Sequence, residues 1–233
     1  STTAFAQLGT SSPYSRFGLG DLQGNMFPEY NALGGGVTAL NNAYSINPYN
    51  PATYNSFGTN SFLLSTGGIH KTTNMQNISE SQITNNTSFS HLAIAFPISK
   101  KTGVSIGMLP YSNIGYELNS RNDEYNADLM YSGDGGISKV YFGGAYQLSD
   151  EISVGANAAY LFGGLNRRKK VVYSDESFLN SRSNSKINLQ GYYYEVGLLY
   201  KKNLSENKEL TVGVTANNNS EIRVKRSELI ETF

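Results

Sequence analysis

From residue 60 onward, apolar residues alternate with small or polar ones at a period of two, and the joining segments are short and long in turn. That period belongs to a pleated strand with two unlike faces, not to a helix. Along 87–97, Leu92, Ile94 and Phe96 face one way, and His91, Ala93 and Ala95 the other. Along 103–118, Val104, Ile106 and Met108 oppose Ser105 and Gly107. Segment 137–148 sets Val140, Phe142 and Tyr146 against Gly143 and Ala145. Segment 151–163 does the same with Ile152, Val154, Ala156, Ala158, Tyr160 and Phe162. The strongest case is 186–200, where Tyr192, Tyr194, Val196, Leu198 and Tyr200 alternate with Gly191, Tyr193, Glu195 and Gly197. Segment 61–70 alternates less cleanly, and 209–217 continues through Ile222 and Val224.

Each stretch reaches or approaches the ~9–11 residues of a tilted transmembrane strand, whereas soluble strands have a mode of about 5–6. The connections at 99–102 and 149–150 are tight and 201–208 is modest, while 71–86, 119–136 and 164–185 read as long polar loops. Outer-membrane barrels alternate short periplasmic turns with long extracellular loops in this way; a sandwich has no reason to. The prediction is an all-β fold, a transmembrane antiparallel up-and-down β-barrel, with its wall in 59–233. Counting crossings gives seven, with 124–131 as an eighth strand or part of a loop hairpin. Closed barrels of this type have an even number. The charged run at 223–232 does not alternate as a lipid-facing strand should, so the expectation is a wall interrupted at residue 233.

Composition fits that picture. Charged residues are only 15%, with 24 Gly and 17 Tyr filling polar and small positions. The 18 basic and 18 acidic residues cancel, which leaves no electrostatic case for nucleic acid. Without Cys there is no disulfide framework or thiolate metal site. No apolar run approaches the ~20 residues of a membrane helix, and a closed barrel is the other way across a bilayer. Trp is absent, so Tyr192–Tyr194 and Tyr200 are the candidates for interfacial anchors.

Ahead of the strands, Ala4-Phe5-Ala6 followed by Gln7 matches a signal-peptidase site, making 1–6 the remnant of a secretory signal. Residues 7–58 are dense in turn formers and form a separate, irregular segment, with one short helix expected around 37–43. Leu33, Val37, Leu40, Tyr44 and Ile46 are its packing residues.

Leu33-Gly34-Gly35-Gly36, then Asn50-Pro51-Ala52, then a strand at once, resembles the long-chain fatty-acid outer-membrane transporter family (FadL-type). Ser12-Pro13-Tyr14-Ser15-Arg16-Phe17-Gly18 and Pro110-Tyr111-Ser112-Asn113-Ile114-Gly115-Tyr116 are similar to its relatives in Bacteroidota. The resemblance implies a fourteen-stranded barrel, of which this chain is the N-terminal half, with 7–58 as a luminal hatch. It also implies uptake of fatty-acid-like molecules. Leu33, Gly34, Gly35, Gly36, Asn50, Pro51 and Ala52 are then the hatch residues nearest a ligand, and an apolar pocket is expected beside residues 33–57.

Other chemistry is thin. His70 and His91 are the only histidines, with no matched nucleophile and orienting acid, so no catalytic residue, metal or cofactor is expected. Asp123, Glu124, Asp128 and Asp134 lack the spacing of a calcium loop. Arg167-Arg168-Lys169-Lys170 is the one basic run and the candidate contact for lipopolysaccharide phosphates. Gly34-Gly35-Gly36 lacks the Lys-Ser/Thr ending of a phosphate loop and reads as close backbone packing. Three functions follow: a transport barrel for hydrophobic compounds, a structural or accessory barrel bound to a larger surface or secretion complex, and a soluble or surface β-sandwich adhesin.

Overall fold

The computed structural model describes residues 10–23, 27, 30, 33–34, 36–76, 81–175, 177–218 and 221–233. The signal-peptidase pattern at Ala4-Phe5-Ala6 and the glycine at Gly35 lie outside the described residues. The described chain is an antiparallel sheet with two short 3-10 helices, Pro13–Arg16 and Pro51–Ser56. A two-residue strand, β1 (Asp21–Leu22), precedes β2 (Leu63–Gln76), β3 (Ser81–Ser99), β4 (Thr102–Asn122) and β5 (Ala127–Gln147). Then come β6 (Ile152–Tyr173), β7 (Ser181–Ser205), β8 (Lys208–Asn217) and β9 (Ile222–Thr232). From β2 to β8 each strand pairs with the next in chain order, and the sheet curls as a half-barrel.

β8 and β9 both pair with β7, one along each half of its length, so they are two stretches of one path. Asn218 spans the break, its N–H donating to Tyr194 O at 3.1 Å and its Oδ1 accepting from Tyr194 N–H at 2.7 Å. Strands β2 to β7 plus this joined pair give seven crossings, the number counted from the alternation.

The long polar loops are corrected. Most of 71–86, 119–136 and 164–185 is strand: β4 and β5 stay in register out to Asn122↔Ala127, and β6 and β7 to Val171↔Ser181. Residues 124–131 accordingly belong to the β4–β5 turn and the start of β5, not to an eighth strand. Polar side chains hide this pairing from a pattern search, since a ladder held by backbone bonds needs no apolar face. The charged run at 223–232 is also strand: Arg182 of β7 meets Glu231 of β9 at 2.6 Å, and Ser183 donates to Glu228 at 2.8 Å. The short helix expected around 37–43 is instead a turn. Asn47 Nδ2 donates to Val37 O and Leu40 O, at 2.8 and 2.9 Å, taking carbonyls a helix would use.

The two faces differ as the alternation requires. Leu92, Phe96, Ile106, Met108, Phe142, Tyr146, Tyr160, Phe162, Val196, Leu198, Val212 and Val214 stand exposed on the outer face. Tyr160 sits 5.3 Å from Tyr192 and 5.9 Å from Phe162, ring centre to ring centre, forming part of an aromatic rim. The inner face carries His91, Ala93, Ala95, Ser105, Tyr141, Asn157, Ala159 and Leu199, all buried. Sheet and core are therefore inverted relative to a water-soluble fold, with large apolar groups outside and small or polar groups packed within.

Candidate functional site: the N-terminal segment on the inner face

The described part of residues 10–57 meets the inner face in two clusters. The lower cluster gathers Phe27, Tyr30, Val37, Ile46, Tyr54 and Phe57 over Ala93, Ala95, Leu109, Tyr141, Ala145 and Ala159. The 3-10 helix Pro51–Ser56 starts here for a local reason: Asn50 Oδ1 accepts from Ala52 N–H at 3.0 Å, and Pro51 fills the first position, where no donor is missed. The same Asn50 side chain donates to Thr38 O at 2.7 Å and to Leu198 O of β7 at 3.2 Å. Asn157 of β6 holds the segment from the wall. Its Nδ2 donates to Pro48 O and its Oδ1 accepts from Tyr54 O–H, both at 3.1 Å. Burial pushes the Tyr54 phenol well above its usual range, so it stays a neutral donor.

Close approach depends on glycines in the wall. A Cβ at Gly103 would strike the Tyr54 carbonyl, one at Gly155 the Pro51–Ala52 peptide, one at Gly197 the Asn50 amide, and one at Gly213 the Thr38 carbonyl. Close packing was expected at Gly34-Gly35-Gly36, and the two of these glycines that are described do not show it. A Cβ at Gly34 meets nothing within 4 Å, and at Gly36 only Leu33 O at 4.0 Å. Gly34 is required instead by its φ of +65°, which L side chains rarely adopt. The signal for the true contact glycines was present in the alternation itself, as the small residues on the non-apolar face.

Asn50 and Ala52 are both 0% exposed and Pro51 is fully buried, all packed solid against β6 and β7. Leu33 is 56% exposed. Asn50–Ala52 are thus spent on packing the segment against the wall, with no exposed surface on Asn50 or Ala52.

The upper cluster packs Leu19 against Ile114, Tyr116, Ile137, Leu161, Leu165 and Leu189. Its two β4 residues, Ile114 and Tyr116, face inward because of a bulge. β4 pairs Pro110 with Ser138 and then Ser112 with Ile137, so Tyr111 is extra and the parity of the strand reverses. Below the bulge Gly103, Ser105 and Gly107 face inward; above it Ser112, Ile114 and Tyr116 do. The two seven-residue motifs singled out in the sequence meet here. Ser15 Oγ accepts from Gly115 N–H at 3.1 Å, and it lies 2.7 Å from Ser12 O and 3.3 Å from Gly115 O, which share its proton. Ser15→Ala is expected to leave the buried Gly115 amide unpaired, at a cost of about 1–3 kcal/mol. Faster hydrogen exchange at Gly115, with Ile106 unchanged, would be the readout.

The basic run is divided rather than pooled. Arg167 and Lys169 face inward on β6: Arg167 donates to Gly18 O at 2.7 Å, and Lys169 lies 5.8 Å from the centre of the Tyr131 ring. Arg168 faces outward and pairs with Asp134 at 2.8 Å, and Lys170 lies 5.5 Å from the Phe233 ring centre. A strand splits four consecutive charges between two faces, which a loop reading missed. Asp123 and Asp128 are drawn to Arg121, at 3.7 and 3.3 Å. His91, 2% exposed, stacks on Phe27 at 3.7 Å and bonds Ser65 and Ser90 at 2.8 and 3.0 Å; His70 bonds Thr87 at 2.8 Å. Among the described residues no group of three or more His, Asp or Glu could hold a metal ion.

A family model described as BamG matches residues 1–233. No curated protein and no solved structure matches the chain. The match identifies an outer-membrane family associated with the BAM complex, and it overturns the resemblance to FadL-type transporters. The reason lies in what the motifs do. Asn50-Pro51-Ala52 starts a helix against a glycine-lined wall, a packing device that carries no information about cargo.

Proposed function

This chain belongs to the BamG family of the outer membrane, and on that premise we propose that it is a barrel-wall accessory subunit of the BAM complex. The observation that carries the reading is the pairing of a filled inner face with an exposed apolar outer face. Asn50, Ala52 and Tyr54 close the inner face at the level of the apolar band, which suits a sealed wall better than a conduit. The outer band faces lipid and, on part of its circumference, another protein. Residues 10–57 act as a luminal plug. In a bilayer the outer edges of β2 and of the joined β8–β9 path need strand partners, because unpaired backbone groups are costly in hydrocarbon. Further strands supply them, and seven would make the fourteen-stranded closure. Lipopolysaccharide phosphates are met on the outside by Arg168 and Lys170, the outward half of the basic run. No catalytic step belongs to this function.

The test is purification of the tagged protein from outer membranes in mild detergent, with lipid extraction of the same sample. Stoichiometric recovery of BAM-complex proteins without a fixed amount of fatty acid is expected. Recovery of the protein alone, carrying one fatty-acid-like molecule per chain, would reverse the reading in favour of uptake.

A further inference from the structure

The wall is not continuous between β3 and β4. Their ladder runs from Ser99↔Thr102 to Leu92↔Met108 and stops. Above that level β3 continues with β2, and β4 with β5 and, for two residues, with β1 in place of β3. Both strands carry an irregularity just past the last pair. On β3, Gly67 and Gly68 face His91 and Phe89, so Ser90 is extra; on β4 the extra residue is Tyr111, beside Pro110, which has no N–H to give. The result is a seam at the upper margin of the exposed apolar band.

The chain's own N-terminal segment fills the lower part of the seam in the manner of a strand. Gln23 N–H donates to Tyr111 O at 3.0 Å, β1 pairs Leu22 and Asp21 with Ser112 and Asn113, and Ser15 serves the Gly115 amide. Ser11 ties the other side through Asn86 of β3, at 3.0 Å. Among the described residues this filling ends at Gly115. In an extended strand, alternate residues turn their backbone groups to the same side. Glu117, Asn119 and Arg121 therefore present the next N–H and C=O groups to the seam, with no backbone partner among the described residues. A cavity of about 220 Å³ lies there, bounded by Ser11, Pro13, Gln82, Thr84, Glu117 and Leu118. The Thr84 hydroxyl in its wall is buried without a hydrogen-bond partner. A second cavity of about 460 Å³ adjoins it across Pro13, Met75 and Gln82.

We propose that this seam, above Gly115, receives an extended segment of a partner polypeptide, which pairs with the free edge of β4 at Glu117–Arg121 and continues the strand that β1 and Ser15 begin. An unpaired strand edge is a ready template for another chain. A hydrocarbon ligand would leave the alternating donors and acceptors unsatisfied, so the chemistry selects a peptide backbone. This rests on the reading of the protein as a subunit of a larger complex, and it names the surface through which one partner is held.

The test places a photoreactive p-benzoylphenylalanine at Gln82 in the full chain in native outer membranes. Asp128, on a strand paired on both sides, is the control position. A discrete polypeptide adduct is expected from Gln82 and not from Asp128. Glu117→Pro removes a seam-facing donor without touching the β4–β5 ladder, and should lower adduct yield roughly fivefold, the effect of one lost hydrogen bond. Glu117→Ala keeps the amide and should leave the yield unchanged. A heat-dependent gel shift confirms folding, and Asn119→Pro serves if Glu117→Pro misfolds. The proposal is overturned if Gln82 yields no polypeptide adduct in membranes where the chain still co-purifies with the BAM complex. It is equally overturned if the adduct persists undiminished in both proline variants. Loss of co-purification with the adduct retained would instead count against the BAM assignment and uphold the seam.

Discussion

Asn50→Leu is expected to free the N-terminal segment from the inner face while the strands stay paired. The leucine fills a similar volume but makes none of the three bonds that Asn50 makes to Ala52 N–H, Thr38 O and Leu198 O. Each buried group left unpaired costs about 1–3 kcal/mol, and the combined loss should be about 2–5 kcal/mol because carbonyls keep some residual bonding. Asn50→Asp separates the contributions. It keeps the acceptor that caps the 3-10 helix, yet its carboxylate faces two carbonyls and should anchor no better than leucine. Limited proteolysis in detergent reads the outcome: new cleavage within residues 37–57, with the heat-dependent gel shift of the barrel retained. If both variants resist protease as well as the parent protein, the glycine contacts alone hold the segment and the role given to Asn50 is wrong.

The second large effect concerns the outer face. Phe142 is 59% exposed near the middle of the apolar band. Phe142→Arg should destabilise the inserted protein by about 2–4 kcal/mol if that face meets hydrocarbon, while Ser138→Arg, at the rim, should cost about 0–1 kcal/mol. Urea-dependent folding into lipid vesicles measures both. Equal, small costs at the two positions would mean that water reaches the band, and the membrane reading of this face would fall. A larger cost at Ser138 than at Phe142 would invert the assumed depth.

Much of this is legible in the sequence. Val104, Ile106 and Met108 opposite Ser105 and Gly107 already imply a two-faced strand, because a pleat sends neighbours to opposite sides whatever surrounds it. The short turns at 99–102 and 149–150 and the count of seven crossings follow from the same local rule. Asn50-Pro51-Ala52 could be recognised as a packing element, though its resemblance to transporters misled about function, since a helix start against a wall is reused on barrels of any purpose.

What the sequence determined by itself was therefore the period, the faces, the order of the strands and the low charge suited to an outer membrane. The tertiary structure decided the rest. Pairing partners turned 119–136 and 164–185 from loops into hairpins, because backbone bonds do not depend on apolar side chains. One extra residue at Tyr111 reversed the parity of β4 and put Ile114 and Tyr116 inside, a change no fixed period can foresee. Only the fold brought Ser15 to Gly115, a hundred residues apart in the chain. It also showed that Gly103, Gly155 and Gly197 take the approach of the N-terminal backbone, a role their place on the small face suggests only once the partner is in view.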